Sequence, residues 1–430
     1  MKTNFSADQR LNPLMQMMEE NLRKCVHCGF CLPSCPTYLV VGDERESPRG
    51  RIYLIKNMLE SGDTPGREIV THIDSCLSCL ACVSACPSGV DYQHYIDYAR
   101  NYIEDHYSRP LLERFLRSVL VYTLTHIDLF RIGLKLAKFA KPFSKMFSLK
   151  LATMISMVPT ELKAQNIGNA ARVFPAEGRR IKRVALLMGC AQNVLRPSIN
   201  EATIRLLTRM GMEVVVTEGV GCCGALNHHI GENDKAQDLA KSNIDAWLKE
   251  IDRQGIDNIV VNAAGCGTEV KDYAYMLEND TVYKEKAQKI SSLTKDISEL
   301  ISEHQLPTVC LTNQPNIIYH DACSLMHGQA ITLEPREQLK AVGFEVVEIP
   351  GRHFCCGSAG SYNLLQPEMG NTLKDLRINL IGQVSASNQA NILVTGNIGC
   401  LMQLASGTDL QVVHTVELID WATGGLKPPS

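Results

Sequence analysis

Cys25-Val-His-Cys28-Gly-Phe-Cys31-Leu-Pro-Ser-Cys35-Pro36 returns, after 39 intervening residues, as Cys76-Leu-Ser-Cys79-Leu-Ala-Cys82-Val-Ser-Ala-Cys86-Pro87. Both are C-x2-C-x2-C-x3-C-P runs. Thiolates at this spacing hold iron-sulfur cubes, three wrapping one cube while the fourth crosses to the other. Three sulfurs two residues apart fold around one face of a cube, and the proline after the fourth Cys turns the chain out of the loop. The doubled run predicts one [4Fe-4S] cluster on Cys25, Cys28, Cys31 and Cys86 and a second on Cys76, Cys79, Cys82 and Cys35. Zinc knuckles and a disulfide framework are the alternatives. Zinc sites pair C-x2-C units across a longer gap, and neither alternative accounts for two complete copies.

The sequence around these runs has helical periodicity. Residues 12–24 read as a short amphipathic helix leading into the first Cys loop. Residues 47–59, Ser-Pro-Arg-Gly-Arg-Ile-Tyr-Leu-Ile-Lys-Asn-Met-Leu, repeat the pattern, and so do residues 91–107. Residues 1–105 are therefore expected to form an α-helical two-[4Fe-4S] ferredoxin domain larger than the minimal fold. Arg45, Arg49 and Arg51 either offset the negative charge of a thiolate-bound cluster or form a solvated basic face.

With 430 residues, 45% of them hydrophobic, and a formal net charge of -3, the chain is expected to be multidomain, with about two to four domains. The charge balance carries no nucleic-acid-sized basic excess, so no nucleic-acid partner is expected. Seventeen Cys would suggest disulfides in a small secreted chain, but the N-terminus lacks an apolar signal-peptide core. The thiols are expected in a reducing compartment, where clustered Cys serve metals or redox chemistry. No uncharged apolar run reaches the roughly 18 residues of a spanning helix, which predicts a soluble or peripheral protein.

Composition changes after the first domain. Residues 106–180 read as a basic helical connector and linker: nine Lys or Arg between positions 109 and 150 stand against Glu113 and Asp128, interleaved with Leu, Phe, Val and Ile. Such a stretch lies on an anionic membrane surface, packs on a partner, or buries its apolar face on its own protein. Residues 164–180 are polar and read as linker.

The remainder is duplicated. Cys190 is followed after 31 residues by Cys222-Cys223-Gly224 and then by Gly265-Cys266; Cys323 is followed after 31 residues by Cys355-Cys356-Gly357 and then by Gly399-Cys400. The two copies are assigned to residues 181–307 and 308–430. Each Cys comes just after an apolar, β-branched run. These runs are Arg183-Val-Ala-Leu-Leu-Met188, Glu213-Val-Val-Val-Thr217 and Asn258-Ile-Val-Val-Asn262, then Asn316-Ile-Ile-Tyr-His320, Phe344-Glu-Val-Val-Glu-Ile349 and Asn391-Ile-Leu-Val-Thr395. Near-continuous apolar strands alternating with helical segments indicate α/β units with parallel strands. Ligands of such sheets gather beyond the carboxyl ends of the strands. Cys190, Cys222, Cys223 and Cys266 should therefore share one rim, and Cys323, Cys355, Cys356 and Cys400 another, as candidates for one or two further iron-sulfur centres. Adjacent Cys point to opposite sides of an extended chain, so each Cys-Cys pair can serve one centre only through a kink, for which Gly221 and Gly224 supply freedom. Gly219-Val-Gly221-Cys-Cys-Gly224 fits a dinucleotide fingerprint, but the second copy has Arg352, His353 and Phe354 after Gly351 while keeping Cys-Cys-Gly. Nucleotide binding is not expected.

The two-cluster motif, the 47–56 segment and the paired Cys-Cys-Gly repeats together resemble the iron-sulfur subunits of bacterial glycolate oxidase (glycolate dehydrogenase) over nearly the whole chain. Wider relatives are subunits of anaerobic glycerol-3-phosphate dehydrogenase, of lactate-utilisation complexes and of heterodisulfide reductase. The resemblance implies flavin-binding partner subunits that oxidise glycolate to glyoxylate, with this chain conducting electrons towards a membrane quinone from the cytoplasmic face of the inner membrane. The fullest form of the repeat ends in C-x2-C; here Glu269 and Gln403 stand at those positions, leaving four thiolates per repeat.

No flavin or nicotinamide fingerprint is present, so the chain is expected to hold no flavin and no catalytic residue of its own. A thiol or disulfide reductase working at the Cys-Cys pairs is the second reading, and a lactate or glycerol-3-phosphate complex the third. His228, His229, His320, His327 and His353 are read as structural for want of a partner constellation, and Cys310 as a buried core thiol.

Overall fold

The computed structural model describes residues 1–141, 155, 171–312 and 314–429. The first unit is helical. Helix α1 (Pro13–Lys24) starts where the Asn12 side chain accepts from Leu14 N and ends on Arg23 and Lys24, whose charge suits a helix C-terminus. Helix α2 (Pro48–Ser61) is capped by Ser47, which accepts from Gly50 N, and stops at the left-handed Gly62. With α3 (Arg67–Asp74) and α4 (Tyr92–His106) these helices enclose a core that includes Met18, Leu22, Ile55, Leu59, Ile73, Tyr95 and Ile96. The Cys runs occupy the loops between them.

Two connector helices follow, α5 (Leu111–Thr125) and α6 (Ile127–Ala140). Two of the connector's basic residues are not on a free basic face. Arg109 is buried against Asp74 and Glu104 at 2.6 Å each, and Arg117 donates to Ile230 O and lies 3.4 Å from Glu104. Lys145, Lys150 and residues 164–170 of the expected linker fall outside the described residues. Part of that linker is a strand instead: β1 (Arg172–Phe174) pairs antiparallel with residues 214–216.

The duplicated units are parallel sheets. The first contains β2 (Lys182–Leu187), β3 (Met212–Val216), β4 (Asn258–Val261) and β5 (Thr294–Asp296), in the order β1-β3-β2-β4-β5. The second contains β6 (Ile317–Tyr319), β7 (Val346–Glu348), β8 (Ile392–Thr395) and β9 (Gln411–His414), in the order β7-β6-β8-β9. Ignoring β1, the orders are identical. All six expected strands are present, while β1, β5 and β9 lack the apolar runs that mark the others. Helices α7 (Ser198–Arg209), α8 (Asn233–Gln254) and α9 (Ala264–Met276) belong to the first unit; α10 (Pro367–Asn388), α11 (Ile398–Ala405) and α12 (Thr415–Ala422) belong to the second.

The two sheets share a core: Val184, Leu206, Val214, Ile318, Val394 and Ile419 belong to one continuous buried cluster. An ionic clamp closes the junction, with the fully buried Asp420 carboxylate bound by Arg205 and Arg209, each at 2.6 Å.

Candidate iron-sulfur sites

Cys25, Cys28, Cys31 and Cys86 line one small cavity in the helical unit; Cys35, Cys76, Cys79 and Cys82 line a second, and Cys82 borders both. The loops reach this shape through left-handed residues. His27, Ser78 and Leu80 have φ of 56°, 49° and 60°, a conformation uncommon outside glycine. Positive groups and donors face the sulfurs. The buried Arg51 places Nη1 3.8 Å from Cys35 Sγ while Nη2 binds Glu46 at 2.6 Å, and Tyr92 OH donates to Cys76 Sγ at 3.8 Å. Arg49 arches over the first loop, donating to His27 O at 3.2 Å. Arg45 is an exposed surface pair with Asp43 and Glu68. The three arginines therefore divide between the two expected roles. Burial pushes the Cys79 and Cys82 thiols well up, so the free thiols hold their protons, whereas a bound metal takes thiolates. Four converging sulfurs per pocket with donors around them fit a cubane.

In the α/β units every repeat Cys lies beyond the carboxyl end of a strand. Cys190 follows β2, Cys222-Cys223 follows β3 and Cys266 opens α9 after β4; Cys323, Cys355-Cys356 and Cys400 repeat this after β6, β7 and β8. The strand order places the crevice where connections leave in opposite directions, between β2 and β4 and between β6 and β8. Within each set the thiols form a series. In the first set Cys190 and Cys222, Cys222 and Cys223, and Cys223 and Cys266 shift one another's proton affinity. In the second set Cys323 and Cys355 Sγ are 4.0 Å apart, and Cys355, Cys356 and Cys400 are coupled in the same way. The kink that brings adjacent Cys together comes from Gly224 (φ +94°) and its counterpart Gly357 (φ +83°), whose N–H groups donate to Cys222 and Cys355 Sγ. Gly221 keeps an ordinary φ, and Phe354 serves in its place in the second copy. Glu269 and Gln403 are buried and engaged elsewhere, Glu269 with His228 at 3.0 Å and Gln403 with Asn363 and Gly370 O.

The two sulfur rims face each other. All eight repeat Cys line a single cavity of about 440 Å³, whose far wall is Leu120, Leu124, Phe130 and Leu134 of the connector helices. The second repeat also abuts the helical unit. Leu77, Cys79, Cys355 and Tyr362 share one buried cluster with Cys323 against it, Tyr362 OH donates to Ser75 O at 3.0 Å, and His327 bridges to Ser84 at 2.8 Å.

His320 has the partner constellation the sequence did not reveal. Arg377 Nε donates to its Nδ1 at 3.1 Å, and an imidazole nitrogen lies within 4.8 Å of Cys356 and Cys400 Sγ. A guanidinium only donates, so Nδ1 accepts and the neutral ring carries its proton on Nε2, an atom with no nitrogen or oxygen partner. That N–H and the buried guanidinium behind it are the positive side of the second sulfur set. The corresponding place in the first copy holds Asn243, which donates to Cys222 O and accepts from Gly221 N. Cys310 is exposed rather than buried, next to Thr308 O.

Residues 21–90 match the family model of a 4Fe-4S dicluster domain, and residues 184–271 and 317–405 match that of a cysteine-rich domain. The glycolate oxidase iron-sulfur subunit of Escherichia coli (strain K12) is 37% identical over 423 residues, covering 98% of this chain and 99% of the relative. The chain belongs to the glycolate oxidase iron-sulfur subunit family. A probable glycolate oxidase iron-sulfur subunit of Bacillus subtilis (strain 168) is 33% identical over 99% of both chains. Lactate utilization protein A of the same organism is 23% identical, over 55% of this chain. This family member is an electron-transfer subunit that carries iron-sulfur clusters. Among its described residues no helix is long and apolar enough to cross a membrane.

Proposed function

We propose that the chain carries electrons out of a flavoprotein that oxidises glycolate to glyoxylate and passes them towards a membrane quinone. In this reading Cys25, Cys28, Cys31 and Cys86 hold one [4Fe-4S] cluster and Cys35, Cys76, Cys79 and Cys82 a second. Cys190, Cys222, Cys223 and Cys266, and Cys323, Cys355, Cys356 and Cys400, are the ligand sets of further centres. Such clusters, when bound, accept and release single electrons.

The observation that carries the reading is continuity. The two ferredoxin-type pockets share Cys82, the second pocket touches the second repeat through Cys79 and Cys355, and the second rim faces the first across the shared cavity. An unbroken series of thiolate sites suits a carrier. It supplies no group that takes a hydride from an alcohol carbon, which the flavin of a partner would do.

The connector supports a peripheral position on the cytoplasmic face of the inner membrane. Leu111, Leu112, Phe115, Ile132, Leu136 and Phe139 are exposed, alongside the exposed Arg114, Lys135 and Lys138. Each basic residue near an anionic surface contributes about 1 kcal/mol.

Freeze-quench electron paramagnetic resonance of the assembled complex tests the proposal. Glycolate should reduce iron-sulfur signals of this subunit, and the subunit alone should not turn glycolate over. Fewer than about eight irons per chain after full reconstitution, or zinc in their place, would refute the ligand assignment.

A further inference from the structure

We infer that the cavity between the two cysteine rims is where the electrons leave, and that it binds the ring of a quinone. The inference rests on the electron-carrier reading above and adds the place and chemical class of the acceptor.

Size comes first. The cavity measures about 440 Å³, whereas the two pockets lined by ferredoxin-type Cys measure about 30 Å³ and 20 Å³. Those two pockets, each proposed to take one cubane, give on the same measure the scale of the space a thiolate-bound centre occupies in this chain. Centres bound at the two rims therefore fill a small part of the shared cavity, and the remainder is of the size that holds small organic ligands.

Lining chemistry narrows the class. Among the described residues that wall the cavity there is no Lys, Arg, Asp or Glu, and the side away from the sulfurs is Leu120, Leu124, Phe130, Leu134 and Ala137. A charged acceptor, such as a disulfide bearing carboxylates or phosphates, would be desolvated there without a counter-ion. A neutral, flat, apolar acceptor is not penalised. The wall that faces such a molecule belongs to α5 and α6, the helices whose outer faces expose Phe115, Ile132, Leu136 and Phe139. An acceptor dissolved in lipid would meet the protein at those helices.

The reaction balances with groups that are present. Two electrons, delivered singly through the thiolate-bound centres from the hydroxy-acid oxidation, and two protons convert the two C=O groups of a quinone to C–OH. Besides the thiols, His229 is the ionisable side chain among the described residues of the cavity wall. Its Nδ1 lies 3.9 Å from Asp97 Oδ1, and the residue also lines a polar pocket with Asp74, Arg100 and Arg117. It provides the passage by which protons from water reach the ring oxygens.

The test uses the complete complex with its flavoprotein partner, a short-chain ubiquinone analogue, a photoreactive derivative of it, and ferricyanide as an acceptor that needs no cavity. The photoprobe should label wild-type peptides within residues 111–140 or 189–195. Ala137→Trp, which fills the cavity from the connector side, should lower kcat/KM for the quinone at least about tenfold while glycolate-driven bleaching of the clusters and ferricyanide reduction stay at wild-type rates. His229→Gln should slow quinone turnover to a similar degree with the same two controls unchanged. Labelling confined to other segments, or an Ala137→Trp complex with wild-type quinone kinetics, overturns the inference while leaving the carrier reading intact. Reduction of a small disulfide in preference to the quinone also overturns it. Failure of glycolate to bleach the wild-type clusters rejects the carrier reading itself.

Discussion

The two repeats share one strand order and one placement of cysteines, yet they set their sulfurs in different electrical surroundings. Around the first set the polar partners are neutral: Asn243 and the Tyr273 hydroxyl bond the Cys222 and Cys223 carbonyls. Its thiols Cys190, Cys222 and Cys223 are all pushed up, by neighbouring thiols and by burial. Around the second set stand His320 and Arg377. There the thiols split: Cys323 and Cys356 are pushed up by neighbouring thiols and by burial, while Cys355 is lowered, through Cys323 first and with His320 adding to it, and Cys400 is lowered by Cys356 and, against burial, by His320. Duplication preserved where the sulfurs are and changed what they cost to charge. Positive groups near a cluster favour its reduced, more negative state; on the proposed assignment of centres to both rims, the second is then the better electron acceptor and, lying against the helical unit, the first stop for electrons arriving from there.

The largest expected effect tests that order. Cys356→Ser should cut turnover of the assembled complex with quinone by about 100-fold or more, on the order of 3 kcal/mol in barrier, with both ferredoxin-type centres still reducible. Cys223→Ser, one stop further, should cost about tenfold. A Cys223→Ser complex with near-wild-type turnover would place the first rim off the path rather than in series with the second.

Asp420→Ala attacks the junction that keeps the rims facing. It leaves Arg205 and Arg209 without their shared carboxylate and should lower stability by about 3 kcal/mol, read as earlier loss of helicity in urea. An unchanged transition would mean that the common apolar core alone holds the repeats together.

Making the second repeat resemble the first is a gentler change. His320→Leu combined with Arg377→Asn removes the N–H beside Cys400 and the donors to Pro350 O and Gly351 O. The expected cost is about 2 kcal/mol. A redox titration should show one midpoint potential falling while the ferredoxin-type centres hold theirs; if all shift together, the charge acts globally and the comparison fails.

The smallest effect concerns the first repeat's tie to the helical unit. His94 bridges Asp91 at 2.5 Å and Asp272 at 2.7 Å and stacks on Tyr275. Burial opposes it, but Asp272 and Asp91 raise the ring from 6.5 to about 10. A value raised by folding means the protonated ring stabilises: the contribution is complete below about pH 6.5 and is lost as pH climbs through about 10. Melting temperature should therefore decline from pH 7 to 10.5, and His94→Gln should flatten that slope.

How much of this was legible in the sequence depends on the distance over which the information is written. The Cys spacings and the apolar runs before them are local, and they forecast the helical unit, six strands and both sulfur rims. Strands β5 and β9 pass unnoticed because Thr294-Lys-Asp296 and Gln411-Val-Val-His414 are too short to show a pattern. That the rims face each other is a property of how α7 and α12 pack, which no repeat spacing encodes. His320 and Arg377 stand 57 residues apart and meet only because α10 crosses behind β6. Aligning the copies offers a signal, since Arg377 falls where the first copy has Asn243, and a charged residue replacing a neutral one at a buried site is worth explaining. Residues 164–180 misled through composition: Arg172-Val-Phe174 is a strand because β3 has an open edge to fill.

Gly224 and Gly357 bear on how the subunit is made. With their left-handed turns in place, Cys222, Cys223, Cys355 and Cys356 are no more than 4% exposed, and an added Cβ at Gly357 would stand 2.5 Å from Gly370 O. The turn that gathers the thiols is the same turn that seals them under α8 and α10. Iron therefore reaches these sulfurs from the cavity that all eight of them line, whereas the first pocket can be filled directly from solvent, to which its Cys28 stays open.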